Sequence, residues 1–133
     1  MRTLWEAFTE DATYTPYPAA PFSPSLLVDQ LAFIAESDGA PAGCVYANPT
    51  DHFGFVFGLY VRPAFRGQGH ARELMRAVAR ALQQDGKHYI VLNVDTPNLA
   101  ARSLYDKLGF IDAGRTLRVE VETLLAPGRV ERA

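Results

Sequence analysis

Six residues, Arg66-Gly67-Gln68-Gly69-His70-Ala71, carry the most specific chemistry in the chain. They join a run of strand character over residues 53–61 to a helical run that begins at Gly69. A helix start presents backbone N–H groups with no intrahelical partner, together with the positive end of the macrodipole, so it attracts anions. Glycines let the backbone approach phosphate oxygens with no Cβ in the way. Arg66 and Arg72 add charge at either end of the loop. Residues 62–80 hold five arginines against one acid, Glu73, a local charge of +4. Two blander accounts fit the same residues: a tight strand-to-helix turn with no ligand, and a solvated basic helix face.

Other phosphate loops fail on particular residues. A Walker loop needs GxxxxGK[ST], and no Gly-Lys-Ser/Thr occurs. A Rossmann fingerprint needs a third glycine, where this chain has Arg72.

The elements that must hold the loop follow from periodicity. Leu31–Ser37 reads as a strand, Asp38-Gly39 as a hairpin turn, and residues 42–47 as the returning strand. Residues 48–52 form a turn. In the strand over 53–61, alternation places Phe53, Phe55, Phe57, Leu59 and Val61 on one face and Gly54, Val56, Gly58 and Tyr60 on the other. Pro63 ends it. Ala71, Leu74, Met75, Val78 and Leu82 then recur at helical spacing, and Gly86 fits the position just past a helix end. Residues 88–94 read as a strand buried on both faces. Residues 98–108 read as a helix with Ala101, Leu104, Tyr105 and Leu108 on one stripe. Residues 110–113 and 116–125 read as closing strands, the latter alternating Leu117, Val119 and Val121 with Arg118, Glu120 and Glu122. Before the first strand, residues 3–11 and 25–30 are helical candidates. Residues 12–24, with four prolines among Tyr14, Tyr17 and Phe22, form a loop. A strand–helix–strand crossover implies two parallel neighbours. The expected fold is therefore α/β: a mixed, mostly antiparallel sheet with one parallel pair and helices on both faces.

The 133 residues suit a single domain, with residues 1–30 as a variable segment and 31–125 as its core. The apolar content of 48% suffices for one core. The net charge of −2 speaks against a nucleic-acid binder. No apolar run approaches the roughly 20 residues that span a bilayer, and residues 1–12 lack the apolar stretch of a signal peptide. A soluble, cytoplasmic protein with no membrane partner is expected. The single cysteine, Cys44, cannot form an internal disulfide or a multi-cysteine zinc site, and no metal is expected. It reads as a buried small hydrophobe.

The stretch Leu59-Tyr60-Val61-x-Pro63-x-x-Arg66-Gly67-x-Gly69-x-Ala71 resembles the acetyl-CoA signature of the GNAT superfamily of N-acetyltransferases, [Q/R]-x-x-G-x-[G/A] after a strand ending V-x-P. Downstream, Asn98-x-x-Ala101-x-x-x-Tyr105-x-x-x-Gly109-Phe110 resembles the family's N-x-x-A-x-x-x-Y-x-x-x-G-F helix. The resemblance covers roughly residues 31–125. It implies that backbone groups of Leu59, Tyr60 and Val61 hydrogen-bond the pantetheine arm. It implies that N–H groups of Gly67, Gln68, Gly69, His70 and Ala71 hold the pyrophosphate, with Arg66 and Arg72 beside it. The parallel strands would splay to admit the thioester. Asn98 would touch the pantetheine, or serve as a plain helix N-cap, or both. Tyr105 would be the general acid at the leaving thiolate, or alternatively a core tyrosine. Acetyl-CoA would be the co-substrate, and the amine of a small molecule or a peptide N-terminus would be the acceptor.

Two departures stand out. Some family members that acetylate protein N-termini carry a glutamate where this chain has Asn93, which cannot take a proton. Asp51, His52 and Asp95 remain weak candidates for a base. The family's first strand is also missing ahead of the first helix, which would expose the edge of residues 31–37 and invite a homodimer. A non-catalytic acyl-CoA-binding module and a Rossmann-like nucleotide binder are the alternatives to an enzyme.

Overall fold

A computed structural model describes residues 30–115, 117–125 and 132. The helices and loop expected within residues 1–29, and the place of the family's first strand, lie outside them. Four strands form one sheet in the order β1-β2-β3-β4: β1 is Leu31–Ser37, β2 Ala40–Pro49, β3 Phe53–Val61 and β4 Tyr89–Leu92. β1 and β2 form an antiparallel hairpin. Its turn residues, Asp38 and Gly39, both have positive φ, 52° and 79°. A two-residue turn that follows the strand twist requires this. β2 and β3 are also antiparallel, and β3 and β4 are parallel. Helix α1 (His70–Gln84) makes the crossover between the parallel pair, and α2 (Leu99–Lys107) follows β4. The sheet is thus mixed with one parallel pair.

α1 packs on β1, β2 and β3. Leu74, Met75, Val78 and Leu82 are its buried side chains, and they meet Val45, Ala47 and Val56. Each such side chain contributes about 1.5–3 kcal/mol by leaving water. The approach is close at Gly54, where a Cβ would stand 2.4 Å from Leu82 Cδ1. That contact explains a glycine inside a strand. Ala42, Cys44 and Tyr46 of β2 are likewise buried.

Three expectations are corrected. The clean alternation over residues 53–61 is broken, because Tyr46 pairs with Gly58 while Ala47 pairs with Val56, leaving Phe57 as the extra residue of a bulge. One inserted residue shifts a period of two, so Val56 joins Leu59 and Val61 in the α1-facing core. β4 is shorter than expected and is not buried on both faces. Tyr89 is 72% exposed while Ile90 and Leu92 pack inward. It has one neighbour, β3, over four residues. The closing strands do not form among the described residues: 110–115 and 117–120 are irregular, and α3 (Val121–Leu124) is a single helical turn. The alternation there is real in the sequence but pairs with no strand among the described residues. Leu117, Val121 and Leu124 stay exposed.

Candidate functional site

The site lies where β3 ends and α1 begins. β4 pairs with β3 from Phe53 to Val56 and no further, whereas β2 follows β3 as far as the Gly43–Val61 pair. Leu59, Tyr60 and Val61 therefore keep one edge without a strand among the described residues. β4 ends at Leu92, so this stretch of β3 runs on beyond the paired part of the parallel strands.

The chain leaves β3 through a tight turn. Arg62 N–H donates to Ala42 O (2.8 Å), and a 3-10 turn over Pro63–Phe65 brings Phe65 N–H to Arg62 O (2.9 Å). Gly67 and Gly69 then adopt φ of +76° and +86°, which an L side chain rarely takes. A Cβ built at either would meet nothing within 4 Å, so both face open space. α1 starts at His70 without a capping side chain, and its first helical bond runs from Glu73 N–H to Gly69 O (3.1 Å). The N–H groups of His70, Ala71 and Arg72 consequently have no acceptor in the helix. Unspent amides, a dipole end, open space at two glycines and the exposed Arg72 fit a diphosphate.

The arginines are not equivalent. Arg66 Nε donates to Val61 O (2.8 Å), and its guanidinium lies over the Tyr60 ring, 5.8 Å from the centroid. Arg72 is exposed, and Arg76 is tied to Glu73 (2.9 Å). Arg62, which the motifs leave out, holds a buried Nε with no hydrogen-bond partner in the structure. Its place in the arginine run was the only available signal. His70 sets its ring edge-on to Phe65 (centroids 6.3 Å apart). Gln68 is exposed.

Two expected site residues sit on the other arm, on the helix that follows β4. Asn98 is the N-cap of α2, its Oδ1 accepting from Ala101 N–H at 3.2 Å. That bond satisfies one of the amides left over at a helix start. The Asn98 NH2 takes no part in it. Tyr105 stands edge-on to Phe110, with centroids 5.4 Å apart. Burial raises its pKa above the ordinary phenol value, so it keeps its proton throughout the neutral range. No hydrogen bond among the described residues links Asn98 or Tyr105 to the glycine loop.

No strong base stands out. Asn93 is exposed just beyond β4. His52 belongs to a turn held by Thr50, whose Oγ1 accepts from His52 N–H (3.3 Å). Cys44 is fully buried, and burial raises its pKa, so it is a thiol rather than a nucleophilic thiolate. Among the described residues no group of His, Cys, Asp or Glu could hold a metal ion, and no helix is long and apolar enough to cross a membrane.

The described residues thus combine a mixed sheet holding one parallel pair with a glycine turn that opens a helix. The chain belongs to the Acetyltransferase (GNAT) family, whose model matches residues 1–110. It is 33% identical over 90 residues to the N-alpha-acetyltransferase MAK3 of Arabidopsis thaliana, covering 65% of this chain and 47% of that protein. It is 42% identical over 55 residues to the ribosomal protein bS18 alanine N-acetyltransferase of Haemophilus ducreyi, covering 41% of this chain and 38% of the relative. The chain thus spans about half the length, or less, of these curated relatives. Among solved structures, the ribosomal-protein-S18-alanine N-acetyltransferase of Escherichia coli superposes with a TM-score of 0.64 at 25% identity, over 81% of this chain and 70% of that one. The aminoglycoside N-acetyltransferase AAC(6')-Iy in complex with CoA gives 0.64 at 25% identity, over 69% and 75%.

Proposed function

We propose that the protein transfers the acetyl group of acetyl-CoA to a primary amine, on a small molecule or a peptide N-terminus, by direct attack. The carrying observation is the juxtaposition of the unspent α1 amides with the open edge of β3. Acetyl-CoA supplies an activated thioester, and the chain's own residues do the rest. Amides of Gly67, Gln68, Gly69, His70 and Ala71 hold the pyrophosphate, with Arg72 adding charge. Backbone groups of Leu59, Tyr60 and Val61 take the pantetheine as an added strand, and the Asn98 NH2 reaches it from α2. A backbone N–H near the end of β3 donates a hydrogen bond to the carbonyl oxygen as charge develops on it.

As the C–N bond forms and the C–S bond breaks, the amine loses a proton to water and the departing thiolate gains one. Tyr105 serves as the general acid at that sulfur. The phenol's proton passes to the sulfur as the C–S bond breaks, and water, which took the amine's proton, restores it to Tyr105. The amine must arrive neutral, since Asn93 offers no base. Relatives that act on peptide and aminoglycoside amines support this acceptor class. The same reading places the protein in the cytoplasm. It also leaves the outer edge of β1, unpaired among the described residues, as the surface for a homodimer that light scattering would reveal.

The test is thiol release from acetyl-CoA against a panel of peptides, amino acids, polyamines and aminoglycosides. At least one amine should raise the rate well above hydrolysis. Tight CoA binding with no release for any acceptor would make the protein a binding module instead.

A further inference from the structure

We infer that Arg66 is a positioning residue that braces the glycine loop through the Val61 carbonyl, and not a cationic contact to the coenzyme phosphates. This rests on the reading of the loop as the pyrophosphate site. The sequence invites the opposite assignment, because an arginine opening a phosphate loop looks like a counter-charge.

The geometry favours the brace. Arg66 is exposed, yet its Nε is spent on Val61 O at 2.8 Å. Val61 is the last residue of β3, whose edge beyond Val56 has no β4 partner among the described residues. The guanidinium carbon lies over the ring of Tyr60, which is itself buried and paired with Cys44 next to the end of the β2–β3 ladder. The side chain thus runs backward from the loop to the sheet, across the turn it spans. The backbone bond from Arg66 N–H to Pro63 O is long, at 3.3 Å, so the turn itself grips the loop weakly. Beyond Arg66, Gly67 and Gly69 have no side chain to anchor the loop before α1 begins. The Nε–Val61 bond is the tether that sets where the amides of 67–71 stand relative to the β3 edge. A bound coenzyme must satisfy both at once.

The discriminating substitution follows from covalent geometry. Glutamine Nε2 is the same number of bonds from Cα as arginine Nε, so Arg66→Gln keeps a donor for Val61 O and removes the charge. Arg66→Met keeps the length and removes both. With a brace, Arg66→Met raises the acetyl-CoA KM about tenfold with kcat within twofold, and Arg66→Gln stays within twofold of wild type on both. The dependence of acetyl-CoA affinity on added salt is then the same in all three proteins. In the unliganded protein, backbone NMR order parameters at Gly67 to His70 fall toward about 0.6 in Arg66→Met and return in Arg66→Gln. A charge contact gives the reverse: glutamine as impaired as methionine, both with a flatter salt dependence than wild type, and unchanged order parameters. That result overturns the proposal. If the wild-type protein binds no acetyl-CoA, the functional reading falls, and the order parameters alone decide whether the brace exists.

Discussion

The two ends of α1 are built on opposite plans. At its C-terminal end the helix is packed until no room is left: Leu82 is 3% exposed and presses on Gly54, where even a methyl group would collide. At its N-terminal end the described residues leave the space at the two loop glycines open. Gly67 and Gly69 face open surroundings, no side chain caps the first turn, and the first amides have no acceptor in the helix. Burial at one end fixes the axis, and with it the direction of the dipole and the position of the unspent N–H groups. The empty end can remain unsatisfied in the unliganded chain because water solvates it at little cost, whereas a void at the packed end would cost stability directly. Stability and ligand capacity are therefore carried by different residues of one helix, and substitutions should separate them.

The largest effect is expected from Gly69→Asp. It sets a carboxylate where the pyrophosphate would sit, and it should weaken acetyl-CoA binding more than a thousandfold by titration calorimetry. The fold should lose only about 1 kcal/mol, from forcing a side chain into the left-handed region. Binding within threefold of wild type would remove the loop from the site. Leu82→Ala is the converse. It should cost about 2–4 kcal/mol in urea unfolding and leave the acetyl-CoA KM of the folded enzyme within twofold. A large change in KM would show that the two ends are coupled more tightly than their packing suggests.

Tyr105→Phe asks whether the α2 arm does chemistry as well as packing. The ring contact with Phe110 survives in the variant, so stability should change by less than about 1 kcal/mol. As general acid, the phenol should be worth about a hundredfold in kcat with little change in acetyl-CoA KM. Equal turnover would leave Tyr105 as a core residue.

What the sequence revealed follows the same division. Local signals were legible. β1 and β3 end where alternation and Pro63 say they should, α1 buries the expected stripe, and Asn98 caps α2 as its position after Pro97 suggested. The glycine turn could be read because its geometry is backbone geometry: Gly67 and Gly69 take the positive φ that residues without side chains allow. What could not be read depends on neighbours distant in sequence. The bulge at Phe57 exists only relative to β2. The exposure of Tyr89 reflects how few neighbours β4 has, which its own apolar run does not reveal. The alternation at 117–122 names a strand-forming segment, yet a strand needs a partner, and in this chain the segment ends as the single turn of α3. Arg66 is the subtler case. Its identity suggested charge, while its geometry shows a hydrogen bond from Nε, an atom that glutamine can replace.

The smallest effect distinguishes the sheet interior from the site by pH. Cys44, Tyr46 and Tyr105 are neutral when protonated, and burial raises the pKa of each. The folded chain holds these protons to higher pH than the unfolded chain does, so their contribution is complete below the unfolded pKa values and is lost as pH rises above them. Those values are about 8.5 for the thiol and about 10 for the phenols, so Cys44 acts first. Urea unfolding should show a loss of about 1 kcal/mol between about pH 7.5 and 9.5 from this thiol, bounded by the limiting slope of about 1.4 kcal/mol per pH unit. Cys44→Ala should be less stable throughout but should lack that loss. An equal loss in the variant would trace the alkaline weakening to another group. Over the same interval turnover at saturating amine should not decline, because the Tyr105 phenol still holds its proton. The fold would weaken while the active site continued to work, which is the separation between packed and open regions seen along α1.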